Sequence, residues 1–292
     1  MYEAIAANKR NTFLIMAVFV GIISAIGFII SWFYGNTSIT YWVIGGAAIY
    51  ALIQYFAAGA IAVAMTGAQQ IEKRDNPRFY RVVENLSITL GMQMPKVYII
   101  DDPAPNAFAT GRDPKHAIVA ATTGLLEIMD DRELTAVMAH EMGHVQNYDI
   151  RVSMIAFGLV SAIGLLSDIV IRMLFFGGDN RNSSSNVVVL IIGIVVIILA
   201  PIAAVIVQTA ISRQREYLAD ASGALTTRDS EGMASALEKL LAYGQPMRKQ
   251  QSATAQLFIT NPLKPGFFSK LFSSHPPLED RIKRLRDNAS KF

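Results

Sequence analysis

The sequence predicts an α-helical integral membrane protein in which four transmembrane helices accompany a mixed α+β cytoplasmic domain. Three observations predict this class: an apolar composition, four long apolar runs, and two other segments that carry the polar sequence. Hydrophobic residues make up 52% of the 292 residues and charged residues 17%, whereas globular chains carry about 25% charge. This composition argues against an ordinary soluble protein.

Each apolar run is long enough to cross a bilayer, which takes roughly 20 apolar residues. The runs cover about residues 12–33, 40–65, 152–176 and 187–211. The first run is longer than the apolar core of a signal peptide, about 7–15 residues, and it lacks a convincing cleavage site, so we predict a retained anchor. Buried core helices would explain any single run, but four of them would leave little sequence to cover them.

The lysines and arginines near the runs predict the orientation, because positive side chains accumulate on the cytoplasmic side of a membrane. Lys9 and Arg10 precede the first run, and further basic residues follow the second and fourth runs. The turn after the first run is uncharged, and the turn between the third and fourth carries one Arg against one Asp. Both termini and both polar segments are therefore predicted to be cytoplasmic.

The runs divide the chain into four parts. Residues 1–66 contain the first two transmembrane helices, and residues 152–211 contain the third and fourth. Residues 67–151 and 212–292 are predicted to form the two halves of one cytoplasmic domain. The first half mixes helical and β-rich patterns, which predicts an α+β fold; its segments are a helix at 77–92, a strand at 95–102, turn-separated runs at 105–112 and 116–129, and a helix at 130–149.

Two charged residues lie inside the third apolar run. Asp168 and Arg172 are four residues apart and so face each other on one side of a helix. An ionisable residue within the membrane suggests a function. We favour mutual pairing, with Arg172 extending toward the nearby end of the helix, and an ion-carrying role is the alternative.

The helix at 130–149 contains a candidate metal site. His140 and His144 are four residues apart, so their imidazoles project from one face of a helix and can bind one ion. Glu141 is rotated by about 100° from His140, which places its carboxylate beside the metal rather than on it. Because the chain has no cysteine, His, Asp or Glu must supply any further ligand. A buried helix with two hydrogen-bonded histidines is the alternative.

A catalytic zinc site needs a third protein ligand and one open position. Glu216 is the best candidate, since two transmembrane helices would return it to the membrane face where His144 lies. Asp220 is on the same helical face as Glu216 and could accept the Nδ1–H of a ligand histidine, which would fix the ring. His116 and His275 are other possible third ligands, and Glu216 and Asp220 could instead be solvated charges.

Four motifs, in this order and with four apolar runs, resemble the HtpX membrane zinc metalloproteases, which are relatives of the CAAX prenyl-proteases. They are "PNAFATG" (105–111), "HEMGH" (140–144), "REYLAD" (215–220) and "HPPLEDRI" (275–282). The resemblance covers nearly the whole chain. It implies a zincin-like protease domain and an endopeptidase of the bacterial plasma membrane. It also implies a cytoplasmic active site and a part in the quality control of damaged membrane proteins.

By this resemblance, His140, His144 and Glu216 match the ligands of one zinc ion, and Glu141 matches the catalytic base. A tetrahedral oxyanion would need a donor besides zinc. We expect that donor to be His275, and Arg281 is a second possibility, as a donor or as a support for a substrate carbonyl. A turn histidine that caps the last helix is the alternative for His275.

Asn106 lies in a run that suggests an exposed edge strand, which could pair with an extended peptide. An ordinary core strand is the alternative. The expected partners are therefore polypeptide substrates and the lipid bilayer. No stretch combines dense Lys and Arg with stacking aromatics, so we predict no nucleic-acid binding. A catalytically silent membrane scaffold or chaperone and a metal-handling transporter are the alternative functions.

Overall fold

The computed structural model describes residues 2–156, 158, 162, 213–249, 255–263 and 276–291. It begins with two long helices, α1 (Tyr2–Tyr34) and α2 (Ser38–Thr66). By length and composition, both could cross a membrane, as predicted for the first two apolar runs. A helical stretch at 149–156 begins where the third run was expected. The rest of the third run, the fourth run, Asp168 and Arg172 lie outside the described residues.

The other described elements form a mixed α/β domain, as the sequence predicted. Its strands are β1 (Gln69–Gln70), β2 (Lys96–Ile100), β3 (Ala107–Gly111) and β4 (Ala117–Thr122). They form one sheet in the order β1-β2-β4-β3, in which β2 and β4 are parallel and the other pairs antiparallel. The helices are α3 (Pro77–Leu90), α4 (Thr123–Ile128), α5 (Asp131–Gln146), α6 (Arg213–Thr227), α7 (Ser230–Tyr243) and α8 (Leu278–Asp287).

Local sequence fixes the start of α5, the helix with the two histidines. The Asp130 side chain accepts a hydrogen bond from the Glu133 backbone N–H, and Glu133 accepts one from the Asp130 N–H. This reciprocal capping satisfies two N–H groups that a helix start leaves unpaired. Glu133 also accepts hydrogen bonds from Ser235 and Lys239 of α7, which joins the two helices.

The sheet lies between α5 and α2. Alternate strand residues face opposite sides of a sheet, so the sheet contacts both neighbours. Val97 and Val119 are buried in the larger core, with residues of α3, α5 and α7. Phe108 points to the other side, into a cluster that includes Ala58 and Ala62 of α2. Small side chains of α2 therefore pack against this domain, and this contact joins α2 to the sheet.

Candidate metal centre

Helices α5 and α6 pack closely because small residues lie where they cross. A Cβ atom added to Gly223 would lie 3.1 Å from the backbone nitrogen of His140, so a larger side chain would push the helices apart. Gly143 faces Ala219 in the same way, at 3.8 Å, and Ala219 is fully buried. This close approach brings Glu216, on the first turn of α6, to the two histidines of α5.

His140, His144 and Glu216 form one compact group of potential metal ligands, and each offers one atom within 4.8 Å of the others. The two imidazole Nε2 atoms are 3.2 Å apart. The Glu216 carboxylate oxygens lie 3.7 Å from Nε2 of His140 and 3.5 Å from Nε2 of His144. The structure therefore brings together the three residues that were predicted from the sequence as ligands.

These distances fit a tetrahedral zinc ion. Zinc bonds of 2.0–2.2 Å to nitrogen and oxygen place two ligand atoms of a tetrahedron about 3.3–3.5 Å apart. The measured separations of 3.2–3.7 Å bracket that value. Two imidazoles and one carboxylate also form a ligand set found in catalytic zinc sites, which leave one position open. The residues present therefore fit a zinc ion.

Each ligand histidine has its second ring nitrogen against a carboxylate. Nδ1 of His140 lies 2.9 Å from Asp220, as the sequence predicted, and Nδ1 of His144 lies 3.0 Å from Asp149. Burial raises the pKa of Asp220, but the adjacent Arg281 charge and hydrogen bonds lower it to about 2. Asp220 is thus ionised and can only accept, so Nδ1 of His140 donates and Nε2 is free for a metal.

Arg281 supports this arrangement through Asp220, the partner of His140. Its side chain is fully buried and donates to the two Asp220 oxygens at 2.9 and 2.6 Å. Its Nη1 lies 3.8 Å from Glu216. In the structure the guanidinium is bonded to Asp220, and the prediction that Arg281 donates to an oxyanion or supports a substrate carbonyl stays a prediction.

The charges around the ligands favour a cation. The carboxylates of Glu141, Asp149, Glu216 and Asp220 surround the histidines, whereas Arg215 and Arg281 supply the neighbouring guanidiniums. Four carboxylates and two guanidiniums give these described residues a net charge of −2, which one divalent cation would balance. Burial lowers the pKa of His144, but the charges of Glu216 and Asp149 outweigh burial and raise this pKa to about 9. In the absence of metal, the same surplus attracts a proton.

Glu141 lies in the same pocket as two of the ligands. The pocket is lined by Glu141, His144, Glu216 and Ala109, with further contributions from Leu257 and the 149–153 stretch. Because Glu141 follows His140 directly, its carboxylate leaves the helix at a different angle from the two imidazoles. A carboxylate beside the ligand group can serve as a general base without binding the metal.

The Asn106 side chain is bonded within the domain, and its contact with substrate stays a prediction. The side chain is 1% exposed, and its amide group both donates to and accepts from the backbone of Thr260. Ile259 donates to the Ala107 carbonyl, and Phe108 pairs with Phe258. Asn106 thus fixes residues 258–260 against the start of β3, and its hydrogen-bonding groups are already used.

The strand β3 pairs with β4 and is last in the strand order, so it is an edge of the sheet, but its five residues are buried and not exposed as predicted. The Thr122 N–H donates to the Asn106 carbonyl, so residue 106 faces β4. Backbone groups alternate in direction along an antiparallel strand. The backbone groups of Ala107 and Ala109 therefore face away from β4. The Ala107 carbonyl, for example, accepts a hydrogen bond from Ile259. Ala109 is the outward-facing residue that lines the pocket.

His116 is not part of this group. His116 is exposed at the turn before β4, where it contacts Asp113 and Arg112. It is therefore not the third ligand. His275 lies outside the described residues. The contact of Asp149 with His144 was not predicted, although the position of Asp149 five residues after His144, just beyond the helix end, was a signal for it.

The comparisons with known proteins agree with this geometry. Residues 73–289 match the profile of Peptidase family M48. A protein from Tropheryma whipplei (strain Twist) named Protease HtpX homolog is 57% identical over 292 residues, all of both chains. A protein of the same name from Streptococcus pneumoniae (strain Hungary19A-6) is 45% identical over 98% of this chain and 99% of its own. The crystal structure of S. mikatae Ste24p has the same fold, with TM-score 0.51, 17% identity, and coverage of 98% of this chain and 67% of its own.

Proposed function

The chain belongs to peptidase family M48 and is an HtpX-type membrane metalloprotease, and we propose that it uses one zinc ion to cleave misfolded or damaged membrane proteins at the cytoplasmic face of the bacterial membrane. The observation that carries this proposal is the ligand group of His140, His144 and Glu216, with Glu141 in the same pocket. A site that only stored or transported metal would have no need for a carboxylate placed as a general base.

The chain's own residues account for the proton transfers of peptide hydrolysis. When bound, zinc would polarise the scissile carbonyl and make the attacking water more acidic. The Glu141 carboxylate takes the proton released by that water and delivers it to the leaving amine nitrogen. Asp149 and Asp220 hold the histidine rings in the tautomer that presents Nε2 to the metal. His275 is the proposed donor to the developing oxyanion.

An extended polypeptide is the proposed substrate, and β3 is its proposed binding edge. Ala109 presents its backbone outward beside Glu141 and His144, so a peptide that pairs there would pass the ligand group. Folded chains rarely offer a free extended segment, whereas damaged ones do. The contact of the sheet with Ala58 and Ala62 of α2 keeps this edge close to a membrane helix, which supports membrane proteins as substrates.

We expect proteolysis by the purified full chain to depend on zinc. The protein, purified in detergent, should contain about one zinc ion per chain and cleave fluorescently labelled casein. A strong chelator should abolish cleavage, because it removes the ion that the ligands hold for catalysis. Added zinc should restore cleavage. Zinc-loaded protein that binds casein without cleaving it would instead support a scaffold or chaperone. Chelator-resistant cleavage would contradict the zinc mechanism.

We also expect cysteine labelling to place the catalytic domain in the cytoplasm. The chain has no native cysteine, so single cysteines can report topology without background. Asn36, in the turn between α1 and α2, and Glu84, on α3, provide a matched pair. A membrane-impermeant maleimide should label Asn36→Cys in intact spheroplasts but Glu84→Cys only after lysis. The reverse pattern would place the domain outside the cytoplasm.

A further inference from the structure

The second ligand histidine is held by a series of contacts that begins in the first membrane helix. Asp149 Oδ2 lies 3.0 Å from Nδ1 of His144. Asn8 of α1 donates from Nδ2 to the other Asp149 oxygen, Oδ1, at 2.7 Å. The same Asn8 nitrogen donates to the Asn147 carbonyl at 2.9 Å. A residue near the start of the chain therefore touches the carboxylate that orients a metal ligand.

Asn8 is buried where it makes this contact, although the rest of α1 is largely exposed and apolar. Asn8 is 6% exposed, whereas Phe13 and Leu14, about one turn further on, are 59% and 57% exposed. A buried amide costs free energy unless its hydrogens are bonded. Asn8 directs both hydrogens of its side-chain nitrogen at the turn after α5. This contact gives α1 one specific docking position on the catalytic domain.

The turn that Asn8 contacts is a strained one. Tyr148 has φ +61°, in the left-handed region that residues other than glycine rarely adopt. That conformation reverses the chain after α5 and brings Asp149 back to His144. Strained residues persist only where their surroundings hold them. Asn8 bonds the residue before Tyr148 and the residue after it, and Lys9 lies 4.4 Å from the Tyr148 ring centroid.

The two ligand histidines are thus supported in parallel ways. Arg281 of the last helix holds Asp220, which contacts His140. Asn8 of the first helix holds Asp149, which contacts His144. Arg215 lies 3.7 Å from Asp149 and adds positive charge there. Only the Asn8 contact links a ligand to a candidate membrane helix within the described residues.

We propose that Asn8 is a positioning residue for the metal site and that α1, through Asn8 and Asp149, sets the orientation of His144. The membrane helix is then part of the metal-binding machinery as well as an anchor. This inference rests on the proposed zinc site. It predicts that metal affinity depends on a side chain outside the catalytic domain, at a position that touches neither the metal nor the substrate.

The test is the zinc affinity of the full chain in detergent, measured by competition with a chelator of known affinity. We expect Asn8→Leu to weaken zinc binding up to about tenfold, the low end of the cost of losing a direct partner of a metal ligand, because Asn8 acts through that partner. Thr12→Val is the matched control, because Thr12 is also buried on α1 but its hydroxyl donates to the backbone carbonyl of Asn8 and not to Asp149. This control should bind zinc like the wild type.

A double-mutant cycle separates positioning from a general loss of stability. If Asn8 acts through Asp149, Asn8→Leu should have little further effect on zinc affinity in an Asp149→Asn background. Fully additive losses, or an Asn8→Leu variant that binds zinc like Thr12→Val, would overturn the inference. A wild-type chain that binds no zinc would instead overturn the proposed function, so the two failures are distinguishable.

Discussion

Replacing Glu141 with glutamine should abolish peptide hydrolysis while the chain still binds zinc. Glutamine keeps the size of the side chain but cannot take a proton from the attacking water. General-base catalysis contributes about 10²–10⁴-fold to rate, so we expect kcat on casein to fall by at least about 100-fold. Metal content should stay near one per chain, because the proposed ligands are His140, His144 and Glu216.

The matched control for this variant is Glu127→Gln, which makes the same chemical change at an exposed position on α4. It should leave both kcat and metal content unchanged. Near-wild-type cleavage by Glu141→Gln would rule out Glu141 as the base. Loss of metal together with activity would show that Glu141 helps to hold the ion, and it would require a different assignment of the base.

Replacing Arg281 with methionine should destabilise the folded protein strongly. Arg281 and Asp220 are buried and bonded through two hydrogen bonds of 2.9 and 2.6 Å. Methionine has a similar length but leaves the Asp220 carboxylate without its countercharge, and breaking a buried pair in this way costs about 3–5 kcal/mol. Denaturant unfolding of the zinc-free protein in detergent measures this loss without a contribution from metal binding.

Arg286→Met is the control on the same helix, α8. Arg286 pairs with Glu231 and Glu238 at the surface, and exposed pairs contribute little, so its effect should be much smaller. The double variant Arg281→Met, Asp220→Asn removes both charges and should recover most of the stability. Its zinc affinity should remain lowered, because His140 has lost an ionised partner. Equal unfolding midpoints for Arg281→Met and Arg286→Met would contradict the structural role of Arg281.

The sequence predicted those features that depend on neighbouring residues. A helix places His140 and His144 on one face whatever surrounds it, so the ligand pair followed from spacing alone. The start of α5 at Asp130 and the end of α3 at Gly91 likewise follow from capping within a few residues. Helix α7 was not predicted, although Asp229, whose side chain caps its start, and the spaced apolar residues after it offered a signal.

The third ligand was predictable in part. A catalytic site needed one more donor, and the expected path of the chain returned Glu216 to the same membrane face. The distances from Glu216 to both Nε2 atoms agree with that inference. The small residues that let α5 and α6 approach, Gly143 and Gly223, were not recognised. Their effect depends on which surfaces meet, and neither residue's local pattern reveals that.

By itself, the sequence indicated a membrane metalloprotease and predicted the histidine pair and the position of the general base, since apolar length and helical spacing are properties of short segments. Only the tertiary structure shows which partners Asn106, Arg281 and Asn8 bond. Each of these side chains makes its decisive bonds with residues at least 61 positions away. Such contacts arise when whole helices and strands pack together, and buried polar groups then bond the nearest partner that the packing provides.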